Sequence, residues 1–249
     1  MKCKVAIEVI AVMSTIFLIS CSSKSTGSFS KEVAPYTKED SSEYTYKFNR
    51  ENIVMNNSCS NLKIVKSDSD EIKVSIKKLV GGDKEENLQE ALDNIKCSLE
   101  DNILKIGPET DDKELINSKN IETTLSIPQS ITSLDIKSNV GDINLEGDYS
   151  NLRVNEEVGR LSYTGNLQQA SISANVGDIN LNLQQLDASN KYDINGRAGD
   201  VNIKIPKDSS INLTGSSVKD IKLGKEINSS SEGSTFEINR TVSDIKIDN

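Results

Sequence analysis

Apolar and polar residues alternate in short runs along most of this chain, and the runs repeat. Leu134 and Ile136 are followed by Ile143 and Leu145. Leu152 and Val154 are followed by Leu161 and Tyr163, and Ala170 and Ile172 by Ile179 and Leu181. A period of two predicts half-buried strands. A short motif separates the members of each pair. Asn139-Val140-Gly141-Asp142-Ile143-Asn144-Leu145 returns as Asn175-Val176-Gly177-Asp178-Ile179-Asn180-Leu181. Weaker copies span Val158–Tyr163, Ala198–Ile203, Val218–Leu223 and Val242–Ile247. The glycine and its equivalents fall at 141, 159, 177, 199, 219 and 243, in steps of 18, 18, 22, 20 and 24. A fixed apolar pattern with a period near 20 predicts stacked coils. The expected fold is all-β, a single β-solenoid or β-roll of about 18–24 residues per coil, with the repeats clearest over 131–249.

Each coil reads as two short strands joined by a two-residue corner: Gly141-Asp142, Gly159-Arg160, Gly177-Asp178 and Gly199-Asp200. Glycine suits a corner that needs positive φ. On this pattern Val140, Val158 and Val176 continue the inward alternation. The position two before them takes small or polar residues: Ser138, Glu156, Ala174 and Gly196. Near 211–218 the phase slips, and a bulge at Gly215-Ser216 would absorb the extra residue.

The front half is less regular. Tyr44, Tyr46 and Phe48 alternate, then Leu62 and Ile64, then Ile72, Val74 and Ile76, all as strands. After Gly81-Gly82, Asp83 and Glu86 form a capping-box pattern. One short helix is expected over about 84–95, with Leu88, Leu92 and Ile95 on one face, lying against a sheet or plugging an end. Residues 97–107 read as strands around an Asp101-Asn102 turn, 108–120 as a polar loop, and Ile121–Pro128 as the strand leading into the repeats. The domain is expected to run over 44–249. Its last strand pattern ends at Asn249, an exposed edge guarded by Lys246 and Asp248.

Residues 1–20 read as an export signal: Lys2 and Lys4, then an apolar run from Val5 to Ile19 broken by Glu8, Ser14 and Thr15. The run is short for a membrane span, which needs about 20 residues. Leu18-Ile19-Ser20-Cys21 resembles the lipobox of bacterial lipoproteins. That resemblance implies cleavage before Cys21, acylation of its thiol with palmitate-type chains, and a lipid anchor on the extracytoplasmic face of the cell membrane. Residues 21–43, rich in Ser, Thr and Lys, read as a flexible tether with a reach of order 25 Å. Cys3 leaves with the signal. Cys59 and Cys97 are then candidates for a disulfide in an exported domain, contributing roughly 3–4 kcal/mol, with two buried thiols as the alternative.

Composition narrows the chemistry. The 249 residues are 35% hydrophobic, 27% charged and 4% aromatic, with no Trp, no His and a formal charge of −9. So acidic a chain argues against nucleic acid as a partner. Without His, a Ser-His-Asp or Cys-His enzyme is excluded. The corner aspartates lack the double glycines of calcium-binding repeats, and Arg160 interrupts Asp142 and Asp178. The corners Gly141, Asp142, Gly159, Arg160, Gly177, Asp178, Gly199 and Asp200 are therefore read as structural, with no metal and no cofactor. Arg160 with its aspartate neighbours, and Arg153 with Asp135, read as exposed ion pairs that help fix register. Asn144, Ser162, Asn180 and Asn202 read as an outward column.

The recurring Val-Gly-Asp-Ile-x-Leu at 140–145 and 176–181, with Ile127-Pro128 and Ile205-Pro206 as strand openings, resembles the bacterial putative-adhesin family over roughly residues 45–249. The resemblance implies a β-solenoid more firmly than any activity. The expected function is a lipid-anchored, non-catalytic binding or scaffolding protein at the cell envelope, adhesin-like. Its expected partners are the membrane through the anchor, and envelope proteins or glycans. The alternative is an envelope-stress or regulatory lipoprotein acting on a membrane partner. A carbohydrate-active enzyme ranks third, since Tyr149, Tyr163, Tyr192 and Phe236 are the only aromatics of the second half.

Overall fold

The structure, a computed structural model, describes residues 34–110, 116–217 and 221–249. The export signal, Cys21, the start of the tether and the Lys219 corner lie outside the described residues. Among those residues no helix is long and apolar enough to cross a membrane.

The described residues are mostly strand, arranged as two ten-stranded sheets. Five pairs of strands build the regular part: β8 (Ser133–Val140) and β9 (Ile143–Glu146), β10 (Tyr149–Val158) and β11 (Leu161–Gly165), β12 (Leu167–Val176) and β13 (Ile179–Leu183), β14 (Lys191–Ala198) and β15 (Val201–Lys204), β19 (Ser234–Val242) and β20 (Ile245–Asp248). The first member of each pair joins one sheet and the second joins the other, and every neighbour is parallel and in register. Ile136, Val154, Ile172, Ile194 and Ile238 therefore form one buried row. Ile143, Leu161, Ile179, Val201 and Ile245 form a row in the other sheet. Each such side chain contributes about 1.5–3 kcal/mol on burial. Alternation thus becomes a core between two sheets.

The front departs from a simple stack. β2 (Asn52–Asn57) and β3 (Asn61–Ser67) form a complete repeat seated on β8 and β9, pairing Met55 with Ile136 and Ile64 with Leu145. The chain then detours before resuming. β4 (Glu71–Gly82) runs antiparallel to both β1 (Tyr36–Lys47) and β7 (Ser118–Pro128), and β5 (Ile95–Glu100) runs antiparallel to β6 (Ile103–Pro108). The sheets are therefore mixed and open rather than one continuous coil over 44–249. Order begins earlier than expected. β1 starts at Tyr36, inside the stretch read as tether, because the β4 main chain from Val74 to Gly82 pairs with a segment whose side chains are mostly polar.

Helix α1 spans Glu85–Asn94 and buries Leu88, Ala91 and Leu92 against β4 and β1. Its N-cap is Lys84, with no side-chain cap. Asp83 instead accepts a hydrogen bond from Asn117 at 2.8 Å, so the expected capping box does not form. Lys78, buried beside Asp40, donates to the Leu92 carbonyl at 3.2 Å and closes the helix end.

The C-terminus holds the largest departure from sequence order. β16 (Ser210–Thr214), β17 (Ile221–Leu223) and β18 (Asn228–Ser229) do not follow β14 and β15 in the stack. β19 and β20 take those places, leaving β17 and β18 as sheet edges. The expected edge at Lys246 and Asp248 is thus interior. Apolar content explains the exchange. In one sheet Phe236 of β19 stacks on Tyr192 at 4.5 Å and Ile238 is fully buried, while Leu213 of β16 is only half-buried; in the other, Ile245 and Ile247 of β20 are buried, while Ile221 and Leu223 of β17 remain partly or largely exposed. The strand that buries more apolar surface displaces the one nearer in sequence.

Candidate functional site

The outward face of the sheet containing β10 carries a shallow trough of about 540 Å³. It crosses β2, β8, β10, β12, β14 and β19, and parallel register builds it from two columns. One holds Asn52, Ser133, Asn151, Gln169, Lys191 and Thr235. The other holds Val54, Asp135, Arg153, Ser171, Asp193 and Glu237. Small side chains such as Ser133 and Ser171 keep the floor low. Arg153 approaches Asp135 at 3.9 Å, as the register predicts, while the other Asp135 oxygen is buried without a hydrogen-bond partner among the described residues. Asn195 holds Asp193 at 2.6 Å from the next column. The trough therefore offers amides, hydroxyls and both signs of charge at a repeat of about 4.8 Å, the spacing of strands in a sheet.

The corners are structural in a way the sequence did not spell out. Each aspartate accepts the backbone N–H of the next repeat: Arg160 N–H donates to Asp142 at 2.9 Å, Asp200 N–H to Asp178 at 3.0 Å and Asp244 N–H to Asp200 at 3.1 Å. Arg160 lies 3.7 Å from Asp142 and 3.9 Å from Asp178. Glycine is required where the corners stack. At Gly177, φ is +147° and an added Cβ would stand 1.5 Å from the Gly159 carbonyl oxygen. The outward column of Asn180 and Asn202 is joined by an amide hydrogen bond of 3.2 Å.

Three expectations about positions are corrected. Val140, Val158, Val176 and Val242 do not point inward; they are 52%, 49%, 47% and 69% exposed and form an outer ridge in register with Ala198. Alternation fails there because the chain bends into the corner and leaves two successive residues outside. No disulfide joins Cys59 to Cys97. Cys97 pairs with Ile106 on β6, and Ile106 pairs with Asn57, two residues before Cys59. β6 lies between the strand that carries Cys97 and the strand that leads to Cys59, so the two cysteines do not sit on neighbouring strands. Burial pushes the Cys97 thiol up to about 12. The bulge expected at Gly215-Ser216 is not an insertion in the central stack, since β16 lies outside β19.

Sequence reasoning also missed two groups. Arg240 is buried in the inner corner column that runs Asn57, Ser138, Glu156, Ala174, Gly196 and Arg240 across the strands. Its guanidinium donates to the carbonyls of Ala174 (2.7 Å), Gly177 and Gly199 (both 3.0 Å). Gly196 leaves the room for it, since a Cβ there would lie 1.8 Å from Arg240 Nη1. Lys66 lies 4.4 Å over the Tyr149 ring and donates to the Ile131 carbonyl. Burial lowers the Lys66 amine to about 8, against the opposing pull of Asp148. The only sequence signal for the Arg240 site was the run of small residues at the column; the partner itself comes from 44 residues further on.

Residues 130–249 match the family model described as Toastrack DUF4097. A search of curated proteins gives no match. Among solved structures, the chain is similar to a putative adhesin from Bacteroides fragilis (15% identity, 88% of this chain and 98% of that chain, TM-score 0.42). It is also similar to a putative cell adhesion protein from Clostridium sporogenes (14% identity, 86% and 98%, TM-score 0.37). A third similar structure is a putative lipid binding protein from Parabacteroides distasonis (11% identity, 87% and 97%, TM-score 0.30).

Proposed function

We propose that this protein is a lipid-anchored, non-catalytic binding or scaffolding module on the extracytoplasmic face of the membrane. On this reading it is a β-solenoid with an elaborated front end, and it engages envelope proteins or glycans along the trough. The observation that carries the reading is the trough itself: polar side chains from six strands, held in register, line one continuous surface. Repetition favours an extended partner, because each strand offers its own donors and acceptors at the same interval. The apolar run from Val5 to Ile19, followed by Ser20-Cys21, supports the anchor, and the Ser-rich segment after it supports display away from the bilayer. Scaffolding also fits the chemistry, because the corner aspartates are occupied with backbone N–H groups rather than aimed into the trough.

The test uses the chain from residue 22 onward on glycan arrays and against purified envelope fractions, with product release monitored in parallel. A variant carrying Asn151→Ala, Arg153→Ala and Gln169→Ala should keep the fold and lose binding. Equal binding by that variant would remove the trough from the account, and product release would end the non-catalytic reading. Cys21→Ser should move the full chain out of the membrane fraction.

A further inference from the structure

The inner corner column contains a carboxyl group with no visible counterpart. Glu156 is 3% exposed, and neither carboxyl oxygen has a hydrogen-bond partner among the described residues. Its place follows from its neighbours. Glu156 Oε1 and the Gly141 carbonyl oxygen each lie 2.3 Å from the point a Cβ on Gly159 would occupy. The side chain thus fills the space that glycine leaves at 159, beside the Gly141 carbonyl.

Three of the equivalent carbonyls along this column, those of Ser60, Gly177 and Gly199, are met by side-chain donors. The Asn57 amide serves Ser60 O at 2.7 Å, and Arg240 serves Gly177 O and Gly199 O. Beside Gly141 O the available side chain is an acid. The surrounding charges cannot neutralise it. On the β8 side stand Ser138 and, at the corner, Asp142; on the β12 side stand Ala174 and Asp178; Glu157 follows on β10 and points out. Across the core, the facing row of Ile143, Leu161 and Ile179 is apolar. The two nearby cations are engaged elsewhere. Arg160 pairs outward with Asp142 and Asp178, and Arg240 aims both its Nη groups at backbone carbonyls from Ala174 onward, its buried Nε having no partner among the described residues. An ionised carboxylate here would face carbonyl oxygens and another carboxylate in a dry corner, which is strongly unfavourable.

We propose that Glu156 is a proton-binding site within the stack: its carboxyl retains a proton in the folded molecule, donates it to the Gly141 carbonyl, and thereby clasps the β10 corner to the β8 corner. Loss of the proton turns the donor into an acceptor and loosens that corner. Burial first, and Asp142 second, raise the carboxyl to about 7, so the clasp titrates near neutrality. The sign is the reverse of the usual carboxylate. Between the ordinary glutamate value and about 7 the unfolded chain releases a proton that the folded chain keeps. Stability from this group therefore falls as pH rises through that window, and the loss is complete above it.

The test compares the wild type with Glu156→Gln, which keeps the shape and a donor but cannot ionise. The wild-type urea midpoint should fall relative to the variant's as pH rises from 4 to 8, and the wild type should be the less stable by pH 8. At pH 8 the amides of Gly159 and Arg160 should exchange faster in the wild type than in the variant, and equally at pH 5. Infrared spectra of the wild type should show a protonated-carboxyl band at pH 6 that is gone by pH 9, a readout that stands even if the variant fails to fold. Parallel midpoint curves, a variant less stable at pH 8, no such band, or a midpoint shifted by a chelator would each overturn the proposal.

Discussion

Replacing Arg240 with Met should unfold the C-terminal half of the stack far more readily than any surface substitution. The side chain makes four hydrogen bonds to backbone carbonyls: Ala174 at 2.7 Å, Gly177 and Gly199 at 3.0 Å, and Asn195 at 3.4 Å. Charge-assisted bonds of this kind are worth about 1.5–3 kcal/mol each before the burial of the guanidinium is set against them. That burial is real, since desolvation lowers the Arg240 pKa while Asp178 and Asp200 oppose the shift. Methionine keeps much of the apolar stem but leaves the carbonyls without their donor. Each buried carbonyl left without a donor costs about 1–3 kcal/mol, and relief of the guanidinium's own desolvation offsets part of that, leaving a net loss of about 3–5 kcal/mol. For a chain of this length each kcal/mol lowers Tm by roughly 2–4 °C, so a loss of about 6–20 °C is expected. Thermal melts followed by far-ultraviolet circular dichroism measure the Tm loss, and urea titration measures the free-energy loss. Arg240→Lys should fall between the two, because one ammonium cannot reach carbonyls on several strands at once. A loss under about 1 kcal/mol, with an unchanged urea slope, would mean that the guanidinium sits in water and that the corner does not depend on it.

Gly177→Ala should cost about 3 kcal/mol or more, since the added methyl meets the Gly159 carbonyl at 1.5 Å and φ is +147°; urea midpoints would reveal it, and a neutral effect would refute the stacked-corner geometry. Phe236→Ala removes a fully buried ring stacked on Tyr192 and should cost about 3–5 kcal/mol, whereas Leu223→Ala on β17, the edge of the other sheet, should cost under about 1 kcal/mol; equal effects would contradict an interior β19 and an edge β17. Mass mapping without reductant should find no peptide linking Cys59 to Cys97, and the Cys97 thiol, pushed up to about 12, should alkylate only on unfolding.

The sequence alone determined the local grammar. Alternating aliphatics specified strands, and Gly-Asp at a near-constant interval specified corners that stack, because a side chain repeated at strand spacing has an environment supplied by its own copies. Rows such as Ile143, Leu161 and Ile179 were legible for that reason, and so was the pairing of Arg153 with Asp135. Only the tertiary structure decided which repeat lies beside which. β19 and β20 enter the stack ahead of β16 and β17 because Phe236 and Ile238 bury more surface against Tyr192 and Ile194 than the intervening strands can, and a loop long enough to reach makes the exchange cheap in entropy. The same non-local step carries Arg240 to Gly196 and Gly177. The Val140 ridge and the separation of Cys59 from Cys97 escaped a periodic reading for a related reason. A bend changes which way a residue faces, and an inserted strand changes the distance between two others, and neither is written in the period of the chain.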